Sequence, residues 1–225
     1  MNFEDYIKLH NCKPFEKTEQ SQTFTTIRDG KERFVKKYPS SFDRAKEKLA
    51  YTYLGSRNLL NIPQLAMIGE DFIEMEFLYS TVIPKNREII EEISKMYIGT
   101  LNDSKPKRYF PNIDLSKDKL FRRLEYIPIE LETRGFMDLS LLEKSENFTN
   151  NNYRMPDDYC LVHGDLKSPH VIKTERGIFF IDLALVSLAN PWYDLAFLYM
   201  ERKDKGFALD ELCKDSFDIL GKDIG

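Results

Sequence analysis

The sequence predicts an α+β fold of two lobes around a cleft: a β-rich N-lobe with one helix, residues 1–77, and a mainly helical C-lobe, residues 78–225. Three observations carry that expectation. The first eighty residues read strand, strand, helix, strand, strand, a sheet too small to stand alone without a second layer. From Asn86 onward helical spacing dominates. The 225 residues, 42% apolar and 13% aromatic, suffice for two small lobes with a real core.

In the N-lobe, residues 22–28 (QTFTTIR) alternate and are β-branched, DGK supplies a hairpin turn, and ERFVKKY continues as the partner strand. FDRAKEKLAYTYLGSRN reads as a helix of about four turns, with Phe42, Ala45, Leu49, Tyr53 and Leu54 near one face and Gly55 as a candidate stop. PQLAMIGEDFIEMEFL gives two short strands joined by a Gly-Glu-Asp turn. In the C-lobe, REIIEEISKMYIGTL, KDKLFRRLEYIPIELETRG and LSLLEKS show helical spacing, and ENFTNNNYRMPDD is a polar linker into the strand-like YCLVHGD. A hairpin follows, VIKT and IFFID flanking Glu175, Arg176 and Gly177. YDLAFLYMER and LDELCKDSFDIL close the chain as helices.

Bulk properties exclude several function classes. A net charge of −4 and a pI near 5.6 give no electrostatic footprint for nucleic acid. Cys12, Cys160 and Cys213 are odd in number and widely spaced, with no CxxC pair, which argues against a disulfide framework or a cysteine zinc site and for a reducing compartment. Cys160 reads as a small buried apolar residue. The N-terminal MNFEDYIKLHN carries early acids and no apolar segment, unlike a secretory signal. IDLALVSLANPWYDLAFLYM, with two Asp and a Pro, is too polar for a membrane span. The expectation is a soluble, cytoplasmic protein; its oligomeric state is left open.

The chemistry concentrates between Tyr159 and Ala196. His163, Gly164 and Asp165 are followed by His170, and an apolar hairpin delivers Asp182 seventeen positions after Asp165. Two carboxylates at the ends of adjacent short elements can face one cleft. Phosphoryl transfer needs that pair: one carboxylate takes or orients the acceptor hydroxyl proton, the other holds a divalent cation on the phosphates.

HGDL, then ID after a hairpin, then NPWYDLA resembles the aminoglycoside phosphotransferase and choline kinase superfamily, related in turn to protein kinases with their HRDLxxxN loop. The resemblance implies a protein-kinase-like fold and use of ATP or GTP with Mg²⁺, or Mn²⁺, on a small-molecule acceptor. It implies Asp165 as catalytic base, Asp182 as metal ligand, His163 bracing the loop, and Asp194 tying the following helix back to it. FVKKY resembles the strand whose lysine grips the phosphates, Glu47 the helix glutamate that pairs with that lysine, and MEFL, with Glu76 and Phe77, the strand whose backbone meets adenine. Only one of Lys36 and Lys37 can reach the cleft, because successive strand residues face opposite ways. Lys37 is favoured because it places the small apolar Val35 on the nucleotide face, where Lys36 would place Phe34.

Three departures mark this chain. His170 stands where the superfamily has a metal-binding Asn, and an imidazole suits Mn²⁺ or Zn²⁺ better than Mg²⁺; the plainer reading is a hydrogen-bonded loop histidine. The expected phosphate-covering loop, KTEQSQT, lacks glycine, leaving Ser21 and Thr23 as hydroxyl donors. Lys167, two residues past Asp165, matches a lysine that neutralises transferred phosphate in serine/threonine protein kinases. Only eight residues separate Asp182 from Pro191, which leaves no room for a peptide platform and favours a small-molecule acceptor such as an aminoglycoside, amino alcohol or sugar. Asp210, Glu211, Asp215 and Asp218 offer negative charge to a cationic acceptor, although a solvated helix face accounts for them as well. The alternatives are a compact atypical protein kinase or ATPase, and a nucleotide-binding pseudokinase.

Overall fold

The computed structural model describes residues 1–17, 22–111, 159–202 and 208–220. The helices expected in KDKLFRRLEYIPIELETRG and LSLLEKS, the polar linker and Ser21 lie outside the described residues. The N-terminal region is sheet-rich. Helix α1 (Phe3–Leu9) leads into β1 (Lys13–Lys17), β2 (Gln22–Arg28) and β3 (Lys31–Lys37), then α2 (Ser41–Arg57), β4 (Leu65–Ile68) and β5 (Phe72–Glu76). These strands form one antiparallel sheet in the order β1-β2-β3-β5-β4. The β2–β3 hairpin closes on Asp29 and Gly30, both at positive φ (52° and 71°), as a two-residue turn that matches strand twist requires.

The two faces of the sheet are covered differently. On one, α1 lays Phe3 and Tyr6 against Val35 and Phe72, all four fully buried or nearly so. The helix is held there by the Phe3 N–H, which donates to Asp71 Oδ1 at 2.7 Å. On the other, α2 buries Ala50, Tyr51 and Leu54 against Ile73 and Met75. Each large aliphatic side chain so buried contributes about 1.5–3 kcal/mol. Phe42 and Ala45, expected on the inner face of α2, are exposed instead. The helix is rotated so that Glu47, wholly buried, points inward.

That core continues into the rest of the chain. Helix α3 (Asn86–Thr100) buries Ile89, Ile90, Ile93, Met96 and Tyr97 against β6 (Cys160–Val162), which pairs with β9 (Ser187–Ala189). Strands β7 (Val171–Thr174) and β8 (Gly177–Phe180) make the expected hairpin. Single 3₁₀ turns at Ser168–His170 and Leu183–Leu185 precede β7 and β9, and α4 (Trp192–Arg202) and α5 (Leu209–Leu220) follow, α5 packing on α3. Helix α1 and strands β1 and β9 were not expected from the sequence. Among the described residues no helix is long and apolar enough to cross a membrane.

Candidate active site

The lysine in the cleft is Lys36. Its Nζ donates to Glu47 Oε2 at 2.8 Å and to Asp182 Oδ1 at 2.6 Å, joining sheet, helix and the end of the β7–β8 hairpin in one ion triad. Tyr38 donates its hydroxyl to the same Glu47 oxygen at 2.7 Å. Burial alone would lower the Lys36 pKa, but the flanking carboxylates outweigh it and hold the ammonium above its ordinary value. Burial likewise works against the Asp182 carboxylate, and Lys36, with the nearby histidines, holds its pKa below the usual range. Lys37, the favoured candidate from the sequence, pairs instead with Glu4 on α1 at 2.9 Å. The reason is α1: Phe3 and Tyr6 already occupy the face of β3 that carries Val35. The cleft face therefore carries Phe34 beside Lys36, and Phe34 meets Phe15 edge-on at 5.9 Å.

The segment after β6 is fixed by Asp194, the buried third residue of α4. Its Oδ2 accepts from the His163 N–H at 2.6 Å and the Tyr97 hydroxyl at 3.0 Å, and its Oδ1 accepts from the Gly164 N–H at 2.8 Å. Gly164 has φ +83°, and a Cβ there would lie 2.1 Å from the Leu185 carbonyl oxygen, so the turn admits glycine alone. The His163 ring stitches the loop to the hairpin: Nε2 donates to the Ile181 carbonyl at 3.0 Å, and Nδ1 faces the Asp165 N–H at 3.4 Å. Asp182 itself sits at φ 60°, ψ 59°, a left-handed conformation that Asp tolerates better than most residues.

These restraints bring Asp165, His170 and Asp182 together: one ligand atom from each lies within 4.8 Å of the others. His170 Nδ1 lies 2.9 Å from the Asp165 carbonyl oxygen, and Nε2 lies 3.3 Å from Asp182 Oδ2. Lys167 Nζ donates to Asp165 Oδ2 at 2.7 Å. The cluster presents two carboxylates, one imidazole and two ammonium groups, a set able to hold a divalent cation, counter phosphate charge and take a proton.

The loop's buried groups couple stability to pH. Burial, with His170 close by, pushes the His163 pKa down to about 4 from 6.5. The folded value lies below the unfolded one, so this contribution is full above pH 6.5 and is lost as pH falls through 4. Asp194 runs the other way: burial pushes it up to about 6 from 3.8 despite its three hydrogen bonds, so its contribution is full below pH 3.8 and lost as pH rises through 6. His163→Gln isolates the first effect. The stability gap between wild type and variant, from urea midpoints, is expected to widen by about 3 kcal/mol in favour of wild type between pH 4 and pH 6.5. A gap independent of pH would contradict a neutral buried ring.

Glu76 and Phe77, in the strand expected to meet adenine, commit their backbone donors to protein carbonyls. The Glu76 N–H goes to the Gln64 carbonyl at 3.0 Å and the Phe77 N–H to the Glu32 carbonyl at 3.4 Å. The Glu76 carboxylate accepts from the Gln64 N–H and pairs with Arg176. The Phe77 ring stands edge-on to Phe15, 6.2 Å away. Of the acidic residues near the C-terminus, Asp215 and Asp218 are engaged by Arg87. Glu211 lines a cavity of about 540 Å³ together with Ser80, Ile83, Asn86, Ser168 and Arg202.

Of the residues that frame this cavity, sequence reasoning named Glu211 and missed Ser168, Glu201 and Arg202. Arg202 Nε donates to Ser168 Oγ at 2.9 Å and Nη1 to the Pro84 carbonyl at 3.2 Å, while Glu201 accepts from the Ser168 N–H and hydroxyl. The one sequence signal for Glu201 and Arg202 is a Glu-Arg pair ending a helix whose other charged residue is Asp194. Tyr97 was legible only as part of a helical segment, although a buried phenol needs a partner.

Comparison with known proteins agrees with this fold. The model of the phosphotransferase enzyme family matches residues 111–218. No curated protein matches the chain by sequence. Among solved structures the chain is similar to a macrolide 2′-phosphotransferase from Brachybacterium faecium (TM-score 0.67, 12% identity, 94% of this chain and 76% of that one). It is similar to a choline kinase from Cryptosporidium parvum (TM-score 0.67, 12% identity, 97% and 75%). It is also similar to APH(2″)-IIa in a ternary complex with streptomycin and ATP (TM-score 0.63, 15% identity, 99% and 84%). The chain thus resembles the phosphotransferase enzyme family in sequence over residues 111–218, and over nearly its whole length it shares the protein-kinase-like fold of aminoglycoside and macrolide phosphotransferases and choline kinase.

Proposed function

We propose that this protein is an ATP- or GTP-dependent phosphotransferase that moves the γ-phosphate to a hydroxyl of a small molecule. The observation that carries the reading is the convergence of Asp165, His170 and Asp182 within 4.8 Å, at the end of the Lys36–Asp182 ion pair. Residues 1–77 serve as the nucleotide-binding unit and 78–225 as the catalytic unit. Lys36, oriented by Glu47, grips the phosphates, and Phe34, Phe15 and Phe77 form an apolar wall for the base. Structures similar in fold were solved with ATP, with GDP and with AMP-PNP, which supports a nucleotide in this cleft. Asp182 and His170 hold the divalent cation, which when bound supplies charge neutralisation on the phosphates. Asp165 accepts the acceptor's proton, and Lys167, already against its carboxylate, neutralises charge developing on the transferred group.

The acceptor enters beside the catalytic loop, at the cavity between Ser80, Ser168 and Glu211. Its volume lies in the range that holds a small molecule. The short path from Asp182 through one 3₁₀ turn and β9 into α4 supports a small acceptor over a peptide. Nucleotide-dependent stabilisation tests the reading at its first step. ATP or GTP at about a hundred times its Kd, with Mg²⁺ or Mn²⁺, is expected to raise Tm by about 5–10 °C. No shift with either nucleotide in either metal would contradict it.

A further inference from the structure

We infer that Glu201, in the last turn of α4, is a positioning residue that fixes the peptide between Lys167 and Ser168 and so places Lys167 and His170 against Asp165. Glu201 Oε2 accepts both the Ser168 N–H, at 2.9 Å, and the Ser168 hydroxyl, at 2.6 Å. The same hydroxyl oxygen accepts from Arg202 Nε at 2.9 Å, so its proton and one lone pair are both engaged within the protein. Arg202 is buried and carries the clamp onward to the Pro84 carbonyl and Asn86 Oδ1, at the start of α3.

Helix α4 serves as a two-point template. Glu201 stands seven positions after Asp194, which at about 3.6 residues per turn is two turns, so both carboxylates leave one face of the helix. Asp194 gathers the His163 and Gly164 N–H groups, and Glu201 gathers that of Ser168. Asp165, Leu166 and Lys167 are the three residues between the two holds. Helix α3 backs both ends in the same way: Asn86 and Tyr97, eleven positions or about three turns apart, meet Arg202 and Asp194.

A trans peptide is a rigid plate whose N–H and C=O point opposite ways. In this one the N–H goes to Glu201, and the Lys167 carbonyl accepts from the His170 N–H at 2.9 Å. Fixing the plate therefore fixes the backbone from which Lys167 reaches Asp165 Oδ2 at 2.7 Å, and the turn that carries His170. The consequence for catalysis rests on the phosphotransferase reading. Loosening the plate misplaces the two groups that meet Asp165, and a displacement of about 1 Å can cost about 10²-fold in rate.

Two measurements on Glu201 variants test this, each variant with its fold verified by melting temperature. Residue-resolved amide hydrogen exchange of the nucleotide-free protein reads the clamp itself. Glu201→Ala is expected to speed exchange at Ser168 at least about 10-fold and to leave His163 and Gly164 within about twofold. Single-turnover transfer at saturating nucleotide and acceptor reads the consequence. The rate is expected to fall about 10–10²-fold, with nucleotide Kd unchanged within about threefold. Glu201→Gln keeps the reach without the charge and is expected to recover most of the rate. Glu201→Asp keeps the charge without the reach and is expected to behave as Glu201→Ala does. Unchanged exchange at Ser168, unchanged transfer in Glu201→Ala, or faster transfer in Glu201→Asp than in Glu201→Gln would each overturn the inference. Should Glu201→Ala not fold, the other two variants decide by the same readings. A wild type that transfers to no acceptor would refute the phosphotransferase reading, and exchange at Ser168 would still decide the clamp.

Discussion

Asp165→Asn is expected to lower the rate of phosphate transfer about 10²–10⁴-fold while leaving nucleotide affinity within about threefold. The asymmetry follows from position. Asp165 is paired with Lys167 at 2.7 Å, whereas the ion pair that joins the sheet to the hairpin runs through Lys36 and Asp182. Asn keeps the side chain's shape and loses its capacity to accept a proton. Single-turnover rates and calorimetric nucleotide titrations measured on the same preparations separate the two effects. A parallel loss of affinity and rate would assign Asp165 a structural role.

The second large effect concerns a pair of neighbours. Lys36→Met is expected to lower kcat/KM about 10²–10³-fold, the scale for removing one well-placed donor from developing charge. Lys37→Met is expected to stay within about threefold, because the Lys37–Glu4 pair is a surface contact of a kind worth about 0–1 kcal/mol. Lys36→Met also strands the buried Glu47, at a cost of about 3–5 kcal/mol. Stability and catalysis are separable here. Adding Glu47→Leu removes the stranded charge and is expected to restore Tm, with activity still lost. Equal effects of the two lysine substitutions on steady-state kinetics would contradict the placement of Lys36 in the cleft.

These lysines show how far the sequence can be read. Strand alternation establishes that Lys36 and Lys37 face opposite sides, but not which side is the cleft. That depends on α1, whose Phe3 and Tyr6 cover the Val35 face, and nothing in MNFEDYIKLHN marks it as a packed helix before the sheet is known. The same limit explains α2. A count of apolar residues places Phe42 and Ala45 inside, but the helix is oriented by Glu47, a carboxylate that composition assigns to solvent and that Lys36 and Tyr38 draw into the core. Pairing of a buried carboxylate with a neighbouring strand leaves no periodic trace.

The segment from Cys160 to Asp194 was legible because its residue types stand at telling places: His163, Gly164 and Asp165 follow a strand, and Asp182 stands at the end of a hairpin. Even there the sequence identified the residues and not their partners. That Asp194 gathers the His163 and Gly164 amides, and that Tyr97 reaches it from α3, emerged only with the packing.

Transfer of the terminal phosphate itself tests the central claim most directly. With γ-labelled ATP and GTP, in Mg²⁺ or Mn²⁺, a panel of hydroxyl-bearing aminoglycosides, amino alcohols and sugars is expected to yield a labelled acceptor with wild type and none with Asp165→Asn. Nucleotide binding with no label transferred to any acceptor would contradict the claim and leave a nucleotide-binding protein without turnover.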